Sequence, residues 1–281
     1  MKSSVTMVGG NILMFDMFRY QFFLFAMIAG LAIGITTALL SNFLVLKNQS
    51  LIGDGLAHVS FAGIIIGMAL VDEPIYVAIP IAILASILIK MLMNSSKVRG
   101  DAAIGLVSSL SLALGFIIIS VGSGYNRSIE GLLVGSILTV NIVDIILSVI
   151  LLISVIIYII FSYQSLFSIT YDYEYARFTR INVKLYDYML SVITAVTIVL
   201  GVQSVGILLI SSLIIFPAIS ANQLARSFKQ SVVFGVIINV IAIFFGLYFA
   251  HILNIPSGSS IVMFHGIIFT VTLLIKWLRR D

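Results

Sequence analysis

"DYMLSVITAVTIVLGVQSVGILLISSLIIFPAISAN", residues 187–222, is an apolar run of 36 residues interrupted by Gly201 and Gly206. A single helix of that length, rising about 1.5 Å per residue, overshoots a hydrocarbon core about 30 Å thick. The run is therefore expected to cross a bilayer, turn near Gly201 to Gly206, and cross back. The double crossing sets on which side of the membrane every later segment ends.

Seven further apolar segments lie at 20–46, 51–70, 75–93, 101–121, 132–162, 231–252 and 258–278. With 187–222 they make eight apolar blocks, and eight to nine transmembrane passes. The composition agrees: 61% of residues are hydrophobic and 9% charged, where a soluble domain carries roughly 25% charged residues. The alternating ten-residue pattern of a membrane β-barrel is absent. The expectation is an all-α polytopic membrane protein, one transmembrane domain over 1–281. No cleavable signal peptide is evident in residues 1–18. The chain has no cysteine, so it has neither a disulfide framework nor a thiolate metal site.

Charge tests the double crossing. Lys and Arg collect on the cytoplasmic side of membrane proteins. With the loop after the first span placed inside, alternation puts Lys47, Lys90, Lys97, Arg99, Arg177, Arg180, Lys184, Arg226, Lys229, Lys276, Arg279 and Arg280 inside. Only Lys2, Arg19 and Arg127 fall outside, together with Asp16, Asp72, Glu73 and Glu130. The asymmetry holds only if 187–222 crosses twice. The N-terminus is then outside, with residues 1–19 as an interfacial segment. The longest hydrophilic connection, 164–186, is short for a soluble domain.

Two ionisable residues stand inside the second apolar block, "SLIGDGLAHVSFAGIIIGMAL", residues 50–70. Asp54 and His58 are four apart and share a helix face. A carboxylate and an imidazole so placed can both reach one divalent ion at about 2.0–2.2 Å. Ionisable residues within membrane segments are costly and mark pathways. Two ligands are few for a structural site but suit an ion that must leave again. The plainer alternative makes Asp54 a helix N-cap and gives His58 a backbone carbonyl partner. Gly63 and Gly67 have the spacing of close helix packing. His265 and His251 are weaker candidate ligands, with a satisfied core histidine and an interfacial polar residue as the competing readings. Asn141 and Asp144, at the outer face, are expected to be solvated.

Several stretches carry a resemblance. "LVLKNQSLIGDGLAHVSFAG" (44–63) resembles a pattern of the metal-importing permeases of bacterial ABC transporters, the ABC-3 permeases, with Asp54 and His58 in register. Lys47 and Asn48 replace that pattern's basic pair. "DAAIGLVSSLSLALGFII" (101–118), "LVGSIL" (133–138), "YDYEYARFTR" (171–180) and "VGILLISSLIIFPAISA" (205–221) are similar to further family stretches, in order. The resemblance implies a bacterial cytoplasmic-membrane permease, not an enzyme, that moves a divalent transition metal. It implies a homodimer around a central path, a cytoplasmic ABC ATPase dimer and an extracytoplasmic metal-binding protein. It also implies Asp54 and His58 as ligands along that path. The wording of 208–218 looks closer to the zinc branch than to the manganese branch, with iron third.

The resemblance further implies an ATPase-coupling segment with a short cytoplasmic helix at residues 217–230, "PAISANQLARSFKQ". There Pro217 is expected to end or kink a helix, and Gln223, Arg226, Phe228 and Lys229 to serve the contact. No nucleotide-binding GxxxxGK[ST] loop occurs, so ATP belongs to a separate subunit. No tightly bound cofactor and no nucleic-acid partner are expected. A gradient-driven carrier or channel would use the same Asp–His pair. An intramembrane metalloprotease is disfavoured, because no HExxH helix is present.

Overall fold

The computed structural model describes residues 21–71, 73–94, 100–121 and 140–278. Among them ten helices follow one another: α1 (Gln21–Leu46), α2 (Ile52–Leu70), α3 (Ile75–Met93), α4 (Gly100–Val121), α5 (Ile142–Tyr171), α6 (Tyr173–Phe178), α7 (Val183–Val205), α8 (Ile207–Leu224), α9 (Phe228–Leu253) and α10 (Ser257–Leu278). All but α6 are long and apolar enough to cross a membrane, giving nine spans among the described residues. The expected N-terminal segment 1–19, the stretch 133–138, the charges Asp72, Lys97, Arg99, Arg127 and Glu130, and the tail Arg279 and Arg280 lie outside the described residues.

The long run 187–222 divides into α7 and α8 at a single residue. Gly206 has φ 88° and ψ 164°, a backbone region that essentially only glycine enters. Gly201 is no part of the turn. It stays helical inside α7, where a β-carbon would strike the Ile210 side chain of α8. The two arms of the hairpin therefore pack tightly from the turn onward.

α1, α2 and α7 bury most of their length, while α4 and α10 face mainly outward. The outward positions are Leu106, Leu110, Leu114 and Ile117 on α4, and Met263, Ile267, Val271 and Leu274 on α10. Lipid tails are as apolar as these side chains, so such surfaces cost nothing in a bilayer. α2 seats against α3 through Gly63 and Gly67. Added β-carbons there would lie 2.9 Å from Ala78 Cα and 2.5 Å from the Pro74 carbonyl oxygen. The glycine pair serves packing within the chain.

Three boundaries differ from expectation. α5 begins at Ile142 rather than at 132, because Asn141 and Asp144 form a reciprocal capping box. Asp144 is not solvated: it is 8% exposed and also accepts a hydrogen bond from Gln203 Nε2 at 3.2 Å. The hydrophilic connection 164–186 is largely helix, since α5 runs on to Tyr171 and Asp172 caps α6 through the Tyr175 N–H.

The third concerns Pro217, which does not end its helix: α8 continues to Leu224. A proline here leaves the Leu213 carbonyl, four residues back, without its backbone donor. Asn239 of α9 replaces it, donating from Nδ2 to Leu213 O at 3.0 Å. The stretch 217–230 is accordingly the end of α8, a turn at 225–227 and the start of α9, not a separate short helix.

At one end of the bundle, Lys47 pairs with Asp187. Lys90, buried in the last turn of α3, donates to Gln49 Oε1 at 2.9 Å. The chain thus ties α1, α3 and α7 together at the end expected to be cytoplasmic.

Candidate functional site

α2 opens at Ile52 with Leu51 as its N-cap, and no side chain caps it. Asp54 lies in the first turn but bonds no backbone N–H of the helix start. It faces α8 instead, where Ser211 Oγ donates to its Oδ1 at 3.3 Å. The capping alternative for Asp54 is therefore not what the structure contains.

One turn deeper, His58 Nε2 stands 3.7 Å from Asp54 Oδ2. That is too long for a hydrogen bond. It fits two donors of one ion, which at about 2.1 Å each can be up to about 4.2 Å apart. His58 Nδ1 is buried and has no hydrogen-bond partner, so the backbone-carbonyl alternative is not realised either. The Asp54 side chain is 55% exposed and that of His58 25% exposed. A carboxylate on the open face of a membrane-spanning helix is costly against lipid. Among the described residues, no group of three or more His, Cys, Asp or Glu gathers to hold a metal.

The other two histidines lie elsewhere. His265, on α10, is 0% exposed. Its Nδ1 is 3.0 Å from Ile261 O and its Nε2 is 2.7 Å from Asn239 Oδ1. Asn239 Nδ2 in turn donates to Gly34 O at 2.7 Å and to Leu213 O. Each ring nitrogen thus lies at hydrogen-bond distance from an acceptor, and the single N–H of the neutral ring donates to one of them, in a node joining α1, α8, α9 and α10. His251, in the last turn of α9, lies against the ring of Phe23 with centroids 5.9 Å apart.

In the segment 217–230, Arg226 and Lys229 are exposed and Gln223 is half-buried. Phe228 is 6% exposed, enclosed by Phe43, Tyr163, Phe167 and Tyr171. Its ring anchors the start of α9 to α1 and α5 and is not offered to another subunit.

Sequence reasoning missed Ser211 and Asn239. Asn239, a lone amide in the apolar block 231–252, could have been flagged by that contrast. Ser211 stands 157 positions from Asp54, and no spacing rule links them.

Nine apolar helices among the described residues, with an Asp–His pair on an open face of one of them, define a multi-pass membrane protein. The profile of the ABC 3 transport family matches residues 19–276, and the chain belongs to that family. It is 31% identical, over 93% of its length and 95% of the relative's, to the "manganese import system permease protein ScaB" of Streptococcus gordonii. It is 28% identical, over 88% of its length and 95% of the relative's, to the "high-affinity zinc uptake system membrane protein ZnuB" of Haemophilus influenzae. Among the relatives compared, manganese names are the more numerous. A solved structure titled "PsaBC from Streptococcus pneumoniae in complex with Fab" superposes with a TM-score of 0.81 at 29% identity, covering 91% of this chain and 92% of that one.

Proposed function

We propose that this chain is the permease subunit of an ATP-driven importer in the bacterial cytoplasmic membrane, and that its solute is a divalent transition metal. Two chains enclose a central path, and Asp54 and His58 of each bind the passing ion. The observation that carries this reading is the state of the pair: a half-exposed carboxylate that caps nothing, facing an imidazole with an unpartnered nitrogen, inside a membrane span. A second copy covering that face would remove Asp54 from lipid.

Carboxylate oxygen and imidazole nitrogen suit both zinc and manganese. The sequence wording pointed toward zinc, while the names of the relatives lean toward manganese, so the solute is the class that contains both. A metal-bound histidine normally donates its other ring N–H to a fixed acceptor, which raises its affinity. His58 lacks that partner, which fits a site that holds its ion briefly.

ATP hydrolysis belongs to a cytoplasmic partner dimer, and the metal arrives from an extracytoplasmic binding protein. The turn 225–227 with Arg226 and Lys229 meets the ATPase. Pro217, Gln223 and Phe228 shape that contact from behind.

The test is uptake of radioactive manganese and zinc, run in parallel at matched protein level. Asp54→Asn is the decisive change, because asparagine caps a helix about as well as aspartate yet loses the charge. Loss of uptake with normal amounts of folded protein is the expected result. Wild-type uptake of both ions by this variant removes the pair from the pathway.

A further inference from the structure

Polar side chains in these spans have a default. Ser60 and Thr194 donate to the carbonyl four residues back on their own helix, as does Thr197, and Ser86 to the one three back. Ser212 points toward Leu208 O in the same way. That back-bonding is the usual fate of a hydroxyl in an apolar helix. Ser211 departs from it, as Ser191 and Ser231 do, and among the described residues is the one whose hydroxyl reaches across to a carboxylate, donating to Asp54 Oδ1 of α2 at 3.3 Å.

The approach that allows this is built into α2. Gly53 precedes Asp54, and a β-carbon at Gly53 would lie 2.8 Å from Ile214 Cδ1. Ile214 is one turn beyond Ser211 on α8. The missing side chain at residue 53 lets α8 come close enough for the Ser211 hydroxyl to span the gap.

We infer that Ser211 is a positioning residue for the metal path: it holds the Asp54 carboxylate by Oδ1 so that Oδ2 faces His58 Nε2. The inference rests on the Asp54–His58 reading and deepens it. A carboxylate at the start of a helix can swing through several rotamers. With one oxygen engaged by a hydroxyl from another helix, the other oxygen keeps its place opposite the imidazole at 3.7 Å. Because α8 leads directly into the turn at 225–227, displacement of α8 along α2 would withdraw the hydroxyl. The carboxylate would then be free to turn, and its grip on the ion would loosen. Ser211 in this way makes the affinity of the pair depend on the register of α8 against α2.

The test uses the full-length chain in lipid nanodiscs, with Mn2+ binding followed by the electron paramagnetic resonance signal of free Mn2+. Ser211→Ala is expected to weaken binding about 10- to 100-fold, the usual consequence of removing a group that orients a metal ligand, with an unchanged melting temperature. Ser211→Thr and Ser211→Val share a shape and differ in the hydroxyl. Thr should bind as the wild type does and Val as Ala does. Equal binding by the Thr and Val variants, or wild-type binding by Ser211→Ala while Asp54→Asn loses it, overturns this inference alone. Wild-type binding by Asp54→Asn overturns the metal-site reading beneath it.

Discussion

His58 and His265 are both imidazoles on helices that cross the membrane, and the chain treats them in opposite ways. His265 is fully enclosed, with a carbonyl against one ring nitrogen and the Asn239 amide oxygen against the other. His58 is partly open, has one ring nitrogen without a partner, and stands opposite a carboxylate too distant to bond it. In an apolar interior, a polar group left unsatisfied costs about 1–3 kcal/mol. The chain holds one histidine by its N–H within a node of four helices and leaves the other with no hydrogen bond from the described residues. Between these two histidines, residue type is the same and the hydrogen bonding differs.

The largest expected effect exchanges the two phenotypes. His58→Ala should reduce metal uptake to background and lower the thermal unfolding temperature in detergent less than His265→Ala does, since the lost packing is offset by deletion of a buried unpartnered nitrogen. His265→Ala should lower the unfolding temperature, while whatever protein remains folded binds Mn2+ normally. Measuring both quantities on both variants breaks the comparison if the phenotypes match.

Next in size is the amide at the centre of the closed node. Asn239→Ala strips donors from Gly34 O and Leu213 O and an acceptor from His265 Nε2. Gly34 O keeps the Thr37 hydroxyl, so two groups are orphaned, Leu213 O and His265 Nε2; at about 1 kcal/mol or more for each, the cost should be about 2 kcal/mol. Equilibrium unfolding in mixed micelles reads it directly. A cost under about 1 kcal/mol would mean that water or a relaxed backbone fills in, and that the node is no tighter than the Asp54–His58 pair.

A smaller effect should appear at the far end of α8. The double variant Arg226→Ala with Lys229→Ala changes two exposed side chains beyond the last turn of α8. It should leave unfolding and Mn2+ binding as they are, and lower uptake per ATP hydrolysed several-fold in the assembled transporter. Unaltered coupling would take the turn out of the ATPase contact.

Much of this was legible beforehand, for reasons that particular residues show. The span at 75–93 was read to the residue, because length and apolarity alone set a membrane helix. The double crossing of 187–222 was legible from length and charge, though only Gly206 and not Gly201 makes the turn. The start of α5 was misread although a local signal was present: asparagine three before aspartate at 141 and 144 is a capping pattern. The continuation of α8 past Pro217 was not legible, because the donor that rescues Leu213 O comes from another helix. Asp54 and His58 were visible as a spaced pair. The hydroxyl that orients the carboxylate was not, since contacts between distant segments leave no mark on spacing.

The smallest predicted effect isolates that rescue. If Asn239 stands in for the N–H that proline lacks, then Pro217→Ala supplies a backbone donor for Leu213 O and makes part of the work of Asn239 redundant. Pro217→Ala alone should change stability little, because the new backbone bond competes for a carbonyl that already has a partner. In that background Asn239→Ala should cost less than it does in the wild type. The difference, a coupling of about 1 kcal/mol, falls within the range expected for residues sharing one hydrogen-bonding group. The bonds of Asn239 to Gly34 O and His265 are untouched by the proline change, so the cost should shrink without vanishing. Strict additivity of the two substitutions in the unfolding free energies would show that the Leu213 carbonyl gains nothing from Asn239. The closed node would then owe its order to Gly34 and His265 alone.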